Sequence, residues 1–269
     1  MDRLFSTIFL ALSAHAAPRV ALYDGAGSAP TSFGNLSASF AALVTRGVLA
    51  SVAVLDGPGV ATLSRAAFDV VVFPGGGGGG EAAGIGAAGA AAVKAFVSSG
   101  GGYYGTCAGA YLASAARCCD VAGVASYCGG AVGCTNSSYG LDLINFASAE
   151  PWDRGHGYVQ VQYNDATIKA LRLNPAVYSA KNVSVLYFQG PIVDPHYANS
   201  GFDVGATFET EVHALHTKFT TGQMVGAPAL LLASHGSGRV LLSPPHPEET
   251  VPRLDDVVEA YVLWASGAL

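Results

Sequence analysis

The chain has 269 residues, 51% of them hydrophobic and only 12% charged, so it can bury a large core, and disorder over most of its length is excluded. A formal net charge of −6 with no Lys/Arg run argues against nucleic acid or an anionic membrane as partner, since both need basic patches. No later segment offers the ~20 unbroken apolar residues of a membrane span, so no membrane anchor is expected.

Residues 1–17 read as a signal peptide. Arg3 precedes a short, largely apolar run, Leu4 to Leu12, and Ala14-His15-Ala16 fits the small-x-small cleavage rule. Cleavage is expected after Ala16 or Ala17, leaving 18–269 as one domain on a secretory route. Asn35-Leu36-Ser37, Asn136-Ser137-Ser138 and Asn182-Val183-Ser184 are glycosylation sequons, which suit that route.

From Val20 onward strands alternate with helical runs. Val20–Tyr23 reads as a buried strand, followed by a Gly loop and a helix with Phe33, Leu36, Phe40, Leu43 and Val44 at helical spacing. Ser51–Leu55 and Phe68–Phe73 are the next two strands. After Pro74 come six glycines, Gly75 to Gly80, expected as an open loop, then an Ala-rich helix over Ala87–Ser99 stopped by Gly100-Gly101-Gly102. The glycine run lacks the Gly-Lys-Ser/Thr ending of a phosphate loop. Its unhindered N–H groups lie at the C-terminal edge of a strand, where such sheets bind ligands and where a donor can hold an oxyanion.

Tyr103-Tyr104-Gly105-Thr106-Cys107-Ala108-Gly109 organises the rest. An aromatic run stops at Gly-x-Cys-x-Gly and an Ala-rich helical run follows. That is the strand–turn–helix grammar of a nucleophile elbow, with cysteine in place of serine. Gly105 and Gly109 relieve crowding in the turn. The start of the next helix favours a thiolate at Cys107. The alternative is a small buried cysteine with a packing role.

Of five cysteines, Cys118, Cys119, Cys128 and Cys134 lie close together and allow three pairings. A bond between Cys118 and Cys119 would be strained, so these two are expected to pair with Cys128 and Cys134, leaving Cys107 as the free thiol. A metal site is not expected there, because no two-residue CxxC spacing occurs. Beyond Cys134 the pattern turns antiparallel. Tyr158–Tyr163 alternates with period two, Val183–Phe188 follows, and Ala229–Ser234 with Arg239–Ser243 form a hairpin around His235–Gly238. A terminal helix covers Leu254–Trp264. The fold class is α/β, a mostly parallel sheet with helices on both faces and some antiparallel strands in the C-terminal half.

A thiol nucleophile needs a base, and the base an orienter. Among seven histidines, His246 stands apart, in Ser243-Pro244-Pro245-His246-Pro247-Glu248. The prolines stiffen the turn, and in extended chain residues two apart share a side, so Glu248 can bond one ring nitrogen while the other faces the thiol. A surface His beside a surface Glu is the alternative.

Gly-x-Cys-x-Gly far upstream of a strand-terminal His-Pro-Glu resembles the class I glutamine amidotransferase-like superfamily. Within it, Phe73-Pro74-Gly75-Gly76, Gly105–Tyr111 and Arg154-Gly155-His156-Gly157 most resemble the family named for the N-terminal domain of biotin-protein ligase. The resemblance implies a flavodoxin-like sheet, with Cys107 as nucleophile, His246 as base and Glu248 as orienter. It further implies a pocket lined by Tyr111, Tyr187 and Gln189. Gly75, Gly76 and Ala108 are the expected oxyanion donors. No basic Gly/Arg biotin-binding loop occurs, so biotin ligation is not expected, and no cofactor or metal is.

The expectation is thus a secreted cysteine hydrolase acting on an amide bond of a small molecule or peptide. A noncatalytic ligand-binding or redox-sensing domain on the same scaffold is the alternative, and a peptidase a third.

Overall fold

Near-continuous apolar runs make the parallel half of the sheet. In the computed structural model, which describes residues 16–114, 141–146, 148, 154–179, 181–193, 201–212 and 222–269, β1 (Arg19–Tyr23) pairs in parallel with β2 (Ser51–Leu55) and β3 (Val70–Phe73). β3 pairs in parallel with β4 (Gly102–Thr106), and β4 with β9 (Gly238–Ser243). The sheet then continues through antiparallel pairs to β8 (Pro228–His235), β7 (Phe202–Phe208), β5 (His156–Tyr163) and β6 (Asn182–Phe188). The nine-stranded order is β2-β1-β3-β4-β9-β8-β7-β5-β6. The expected fold class, with its antiparallel C-terminal strands, is the one observed.

Alternate residues of the same strands feed two cores. Leu22, Val72 and Tyr104 join a cluster with Leu36 and Phe40 of α1 (Pro30–Thr45) and with Val258 and Tyr261 of α7 (Asp255–Ser266). Tyr23, Val71, Phe73 and Tyr103 join the other, with Val93 and Phe96 of α3 (Gly78–Ser98). Burial on both faces is why these strands carry no polar alternation. A four-residue turn of helix, α2 (Gly57–Val60), packs against α3. The elbow helix is α4 (Ala108–Ala113), and α5 (Asp165–Ala170) and α6 (Pro175–Tyr178) fill the β5–β6 connection. No described helix is long and apolar enough to cross a membrane.

Two elements depart from expectation. The six glycines are not an open loop throughout: Gly78–Gly80 already belong to α3. Glycine is a poor helix former, but here a Cβ at Gly80 would come within 2.8 Å of Gly27 Cα, so the helix reaches the loop after β1 only with glycine at that position. Strand β7 was not anticipated. Gly205 interrupts its apolar run where the pairing with β8 shifts register. The leader, the three sequon residues beginning at Asn136, and Cys118, Cys119, Cys128 and Cys134 lie outside the described residues apart from Ala16 and Ala17.

Candidate active site

The turn after β4 is as tight as its glycines imply. Cys107 sits at φ 48°, ψ −98°, a left-handed conformation uncommon for a residue with a side chain. A Cβ at Gly105 would lie 2.5 Å from Gly109 O, and one at Gly109 2.5 Å from Phe73 O, so neither position admits a larger residue without moving backbone. Tyr103 Oη donates to Gly109 O at 2.7 Å, and Cys107 N–H donates to Ser243 O at 2.9 Å, tying the elbow to its own strand and to β9. Cys107 is a free, buried thiol whose Sγ–H donates to Phe188 O at 3.3 Å.

Because β9 runs parallel to β4 with Ser243 opposite Thr106, the chain leaves both strands at the same edge. The Pro244–Glu248 turn therefore emerges beside the elbow. His246 is anchored by its backbone: its N–H donates to Leu186 O at 2.7 Å, and its carbonyl accepts from Thr250 Oγ1 at 2.7 Å. Its Nδ1 bonds Glu248 Oε1 at 2.8 Å, both side chains being buried. Burial alone would push the ring's pKa down. The neighbouring Cys107 and Glu248, the latter also through its hydrogen bond, outweigh it and hold His246 well above the usual imidazole range. Nε2 has no hydrogen-bond partner of ordinary geometry, so at rest its coupling to Cys107 is looser than a formed bond. Cys107, His246 and Glu248 are thus all buried, with His246 bonded to Glu248 and Cys107 near enough to act on the His246 ring.

Ser32 and Glu81, which the sequence did not suggest, join this site, and so does Phe188, from the Tyr187–Gly190 turn that the resemblance placed at the pocket. Ser32 Oγ, on the first turn of α1, donates to Glu248 Oε1 at 2.7 Å and accepts from Gly75 N–H at 2.8 Å. Phe188 supplies the carbonyl against the sulfur. Glu81 is fully buried with neither carboxyl oxygen bonded. Burial, and after it the Cys107 charge, holds its carboxyl well above the usual range.

The remaining expected residues divide. Gly75 is corrected as an oxyanion donor, since its N–H is already committed to Ser32. The N–H groups of Gly76 and Ala108 carry no backbone hydrogen bond among the described residues. Tyr111 is buried on α4. Tyr187, expected to line a pocket, is a core residue instead: 1% exposed, edge-on to Phe208, with its hydroxyl donating to Gly190 O at 2.7 Å. Gln189 is partly exposed at φ 59°, and its N–H donates to Gly155 O at 3.1 Å. His246, Glu248 and Glu249 each offer a ligand atom within 4.8 Å of the others. A cation there would have to break the 2.8 Å His246–Glu248 bond.

Residues 19–127 match the family model described as Biotin-protein ligase, N terminal. Among solved structures, a glutamine amidotransferase superposes with TM-score 0.54 at 17% identity, over 92% of this chain and 98% of that one. PurLQS from Thermotoga maritima superposes with TM-score 0.56 at 14% identity, over 94% and 100%. A beta-galactosidase from Rahnella sp. R3 superposes with TM-score 0.51 at 13% identity, over 93% of this chain and 31% of that one. At these identities the likeness is one of fold. No curated protein matches the chain in sequence.

Proposed function

Starting from a chain that has the fold of the class I glutamine amidotransferase-like superfamily and matches the biotin-protein ligase N-terminal family over residues 19–127, we propose that it is a cysteine-dependent hydrolase of amide bonds. The observation that carries this reading is the buried 2.8 Å His246–Glu248 pair coupled to a free thiol on a strained elbow. Cys107 Sγ attacks the amide carbonyl, and its proton goes to His246. The N–H groups of Ala108 and Gly76 receive the developing oxyanion. His246 returns the proton to the departing nitrogen as the C–N bond breaks, leaving a thioester. Water, deprotonated by His246, cleaves the thioester and restores the thiol. Glu248 holds the ring's tautomer and steadies the imidazolium throughout.

The substrate is a small molecule or peptide carrying an amide, and the chain acts outside the cytosol after losing residues 1–17. Glycans on the sequons, and disulfides among Cys118, Cys119, Cys128 and Cys134, belong to this reading. The test is amide hydrolysis by the secreted protein across a panel of γ-glutamyl amides, simple primary amides and peptides. Cys107→Ala should abolish turnover, and His246→Ala should slow iodoacetamide labelling of Cys107 by about a hundredfold. Undiminished hydrolysis in Cys107→Ala removes the proposal, and turnover of peptides alone makes the protein a peptidase.

A noncatalytic ligand-binding or redox-sensing role has one observation in its favour: Cys107 is only 5% exposed and its sulfur faces the Phe188 carbonyl at 3.3 Å. The same fold also forms part of a beta-galactosidase, so fold alone does not decide the chemistry.

A further inference from the structure

Behind the His246–Glu248 pair lies a set of buried polar atoms that the chemistry above leaves unused. Glu248 Oε1 is saturated by His246 Nδ1 and Ser32 Oγ, while Oε2 is buried with no partner. Two hydroxyls share that condition, Tyr104 Oη and Thr106 Oγ1, both from β4. Residues two apart on a strand face the same way, and Tyr104 faces the core layer that contains α1. Ser32, on α1, brings Glu248 to this same layer. Edge-on contact with Tyr261 at 5.7 Å fixes the Tyr104 ring. Tyr104 Oη and Thr106 Oγ1 also lie within reach of each other, so between them one hydroxyl proton is left over in the layer that holds an acceptor lacking a donor. Buried polar atoms seldom stay unpaired, since each costs about 1–3 kcal/mol when left so.

We propose that Tyr104 and Thr106 are positioning residues for Glu248, closing a hydrogen-bond network on Oε2 through one buried water and so holding the carboxylate in line with His246. Three polar partners are what a buried water ordinarily makes. Burial, and next to it the Glu248 charge, holds the Tyr104 phenol well above its usual range, so it keeps the proton it must donate. With Oε2 held from behind, Oε1 cannot rotate away from Nδ1, and Nε2 keeps its aim. The elbow strand would then serve both halves of the site: Cys107 at its end, and the support for the orienter from Tyr104 and Thr106 before it.

The inference rests on the reading that Glu248 orients His246, and the experiment separates the two. Tyr104→Phe and Thr106→Val remove one hydroxyl each and keep the volume, and Glu248→Gln tests the underlying reading. The readouts on the full folded chain are the iodoacetamide rate at Cys107 at pH 7 and the His246 Nδ1 proton resonance by NMR. Each single variant should slow alkylation by about threefold to tenfold and shift the Nδ1 proton upfield. Neither should add to the loss already caused by Glu248→Gln, because both act through that carboxylate. If Glu248→Gln slows the reaction while both hydroxyl variants match the parent in rate and resonance, the inference fails and the reading stands. If Glu248→Gln itself changes nothing, both fail. Should Tyr104→Phe not fold, Thr106→Val carries the test. A high-resolution crystal structure gives a second measure: a water bonded to all three oxygens supports the proposal, and Oε2 bonded elsewhere overturns it.

Discussion

Gly75→Ala tests whether the placement of His246 governs the reactivity of Cys107. Gly75 is not among the glycines at positive φ, so alanine strains no backbone there. The added methyl would instead overlap His246 Cε1 and lie 3.2 Å from Nδ1. The overlap is deep enough that the ring must retreat by at least about half an ångström. It cannot do so freely. Nδ1 is bonded to Glu248 at 2.8 Å, the backbone N–H is bonded at 2.7 Å to Leu186 O, and prolines flank the residue on both sides. A misplacement near 1 Å costs a reacting constellation about a hundredfold, so a loss of about tenfold to a hundredfold is expected in both amide hydrolysis and alkylation of Cys107. Overpacking should cost about 1–3 kcal/mol of stability. Gly77→Ala is the control, since its Cβ would meet nothing within 4 Å and its φ is ordinary. The assay is the second-order iodoacetamide rate, with the adduct mapped to Cys107 by mass spectrometry and folding checked by urea unfolding. A folded Gly75→Ala protein reacting within about threefold of the parent would refute the claim that the His246 ring sets the sulfur's reactivity.

Ser32→Ala removes a hydroxyl that bridges Glu248 Oε1 and Gly75 N–H, leaving a buried donor unpaired. A loss of about 1–3 kcal/mol by urea unfolding, together with slower alkylation of Cys107, is expected, and a stability change without a rate change would restrict Ser32 to packing. Glu81→Gln tests the buried acid. Its folded pKa lies well above the usual 4.5, so above that pH the unfolded chain gives up a proton that the folded chain keeps. Stability then falls by about 1.4 kcal/mol per pH unit until the folded group itself ionises. Glutamine removes this slope, so Glu81→Gln should gain on the parent in urea unfolding at pH 7 and lose that advantage at pH 4. An advantage equal at both pH values would mean that the carboxyl titrates alike in the folded and unfolded chain, against the raised pKa.

The parts of this site legible in the sequence are those written in local grammar. A strand of aromatic residues stopped by Gly-x-Cys-x-Gly announces the elbow because crowding at the turn is a local constraint, and the 2.5 Å approaches at Gly105 and Gly109 are its cause. The Pro-Pro-His-Pro-Glu turn is legible for the same reason, since stiff backbone and period-two spacing put His246 and Glu248 on one side. What the sequence does not carry is the contact made by long return. Ser32 reaches Glu248 across 216 residues, and nothing about a serine one turn into a helix marks it for that contact. Tyr187 misleads in the opposite way: the family resemblance made it a pocket wall, yet it packs edge-on against Phe208 of β7 and becomes core. The glycine run shows why composition deceives most at close approaches. Helix propensity argues for a loop over Gly78–Gly80, but the loop after β1 leaves no room for a Cβ at Gly80, so packing selects the residue that propensity disfavours and the helix forms through it. That early start of α3 has a chemical consequence. It places Glu81 inside the fold, where the charge of Cys107 acts on it, so the same glycines that hid the helix from a sequence reading also bring a buried acid toward Cys107.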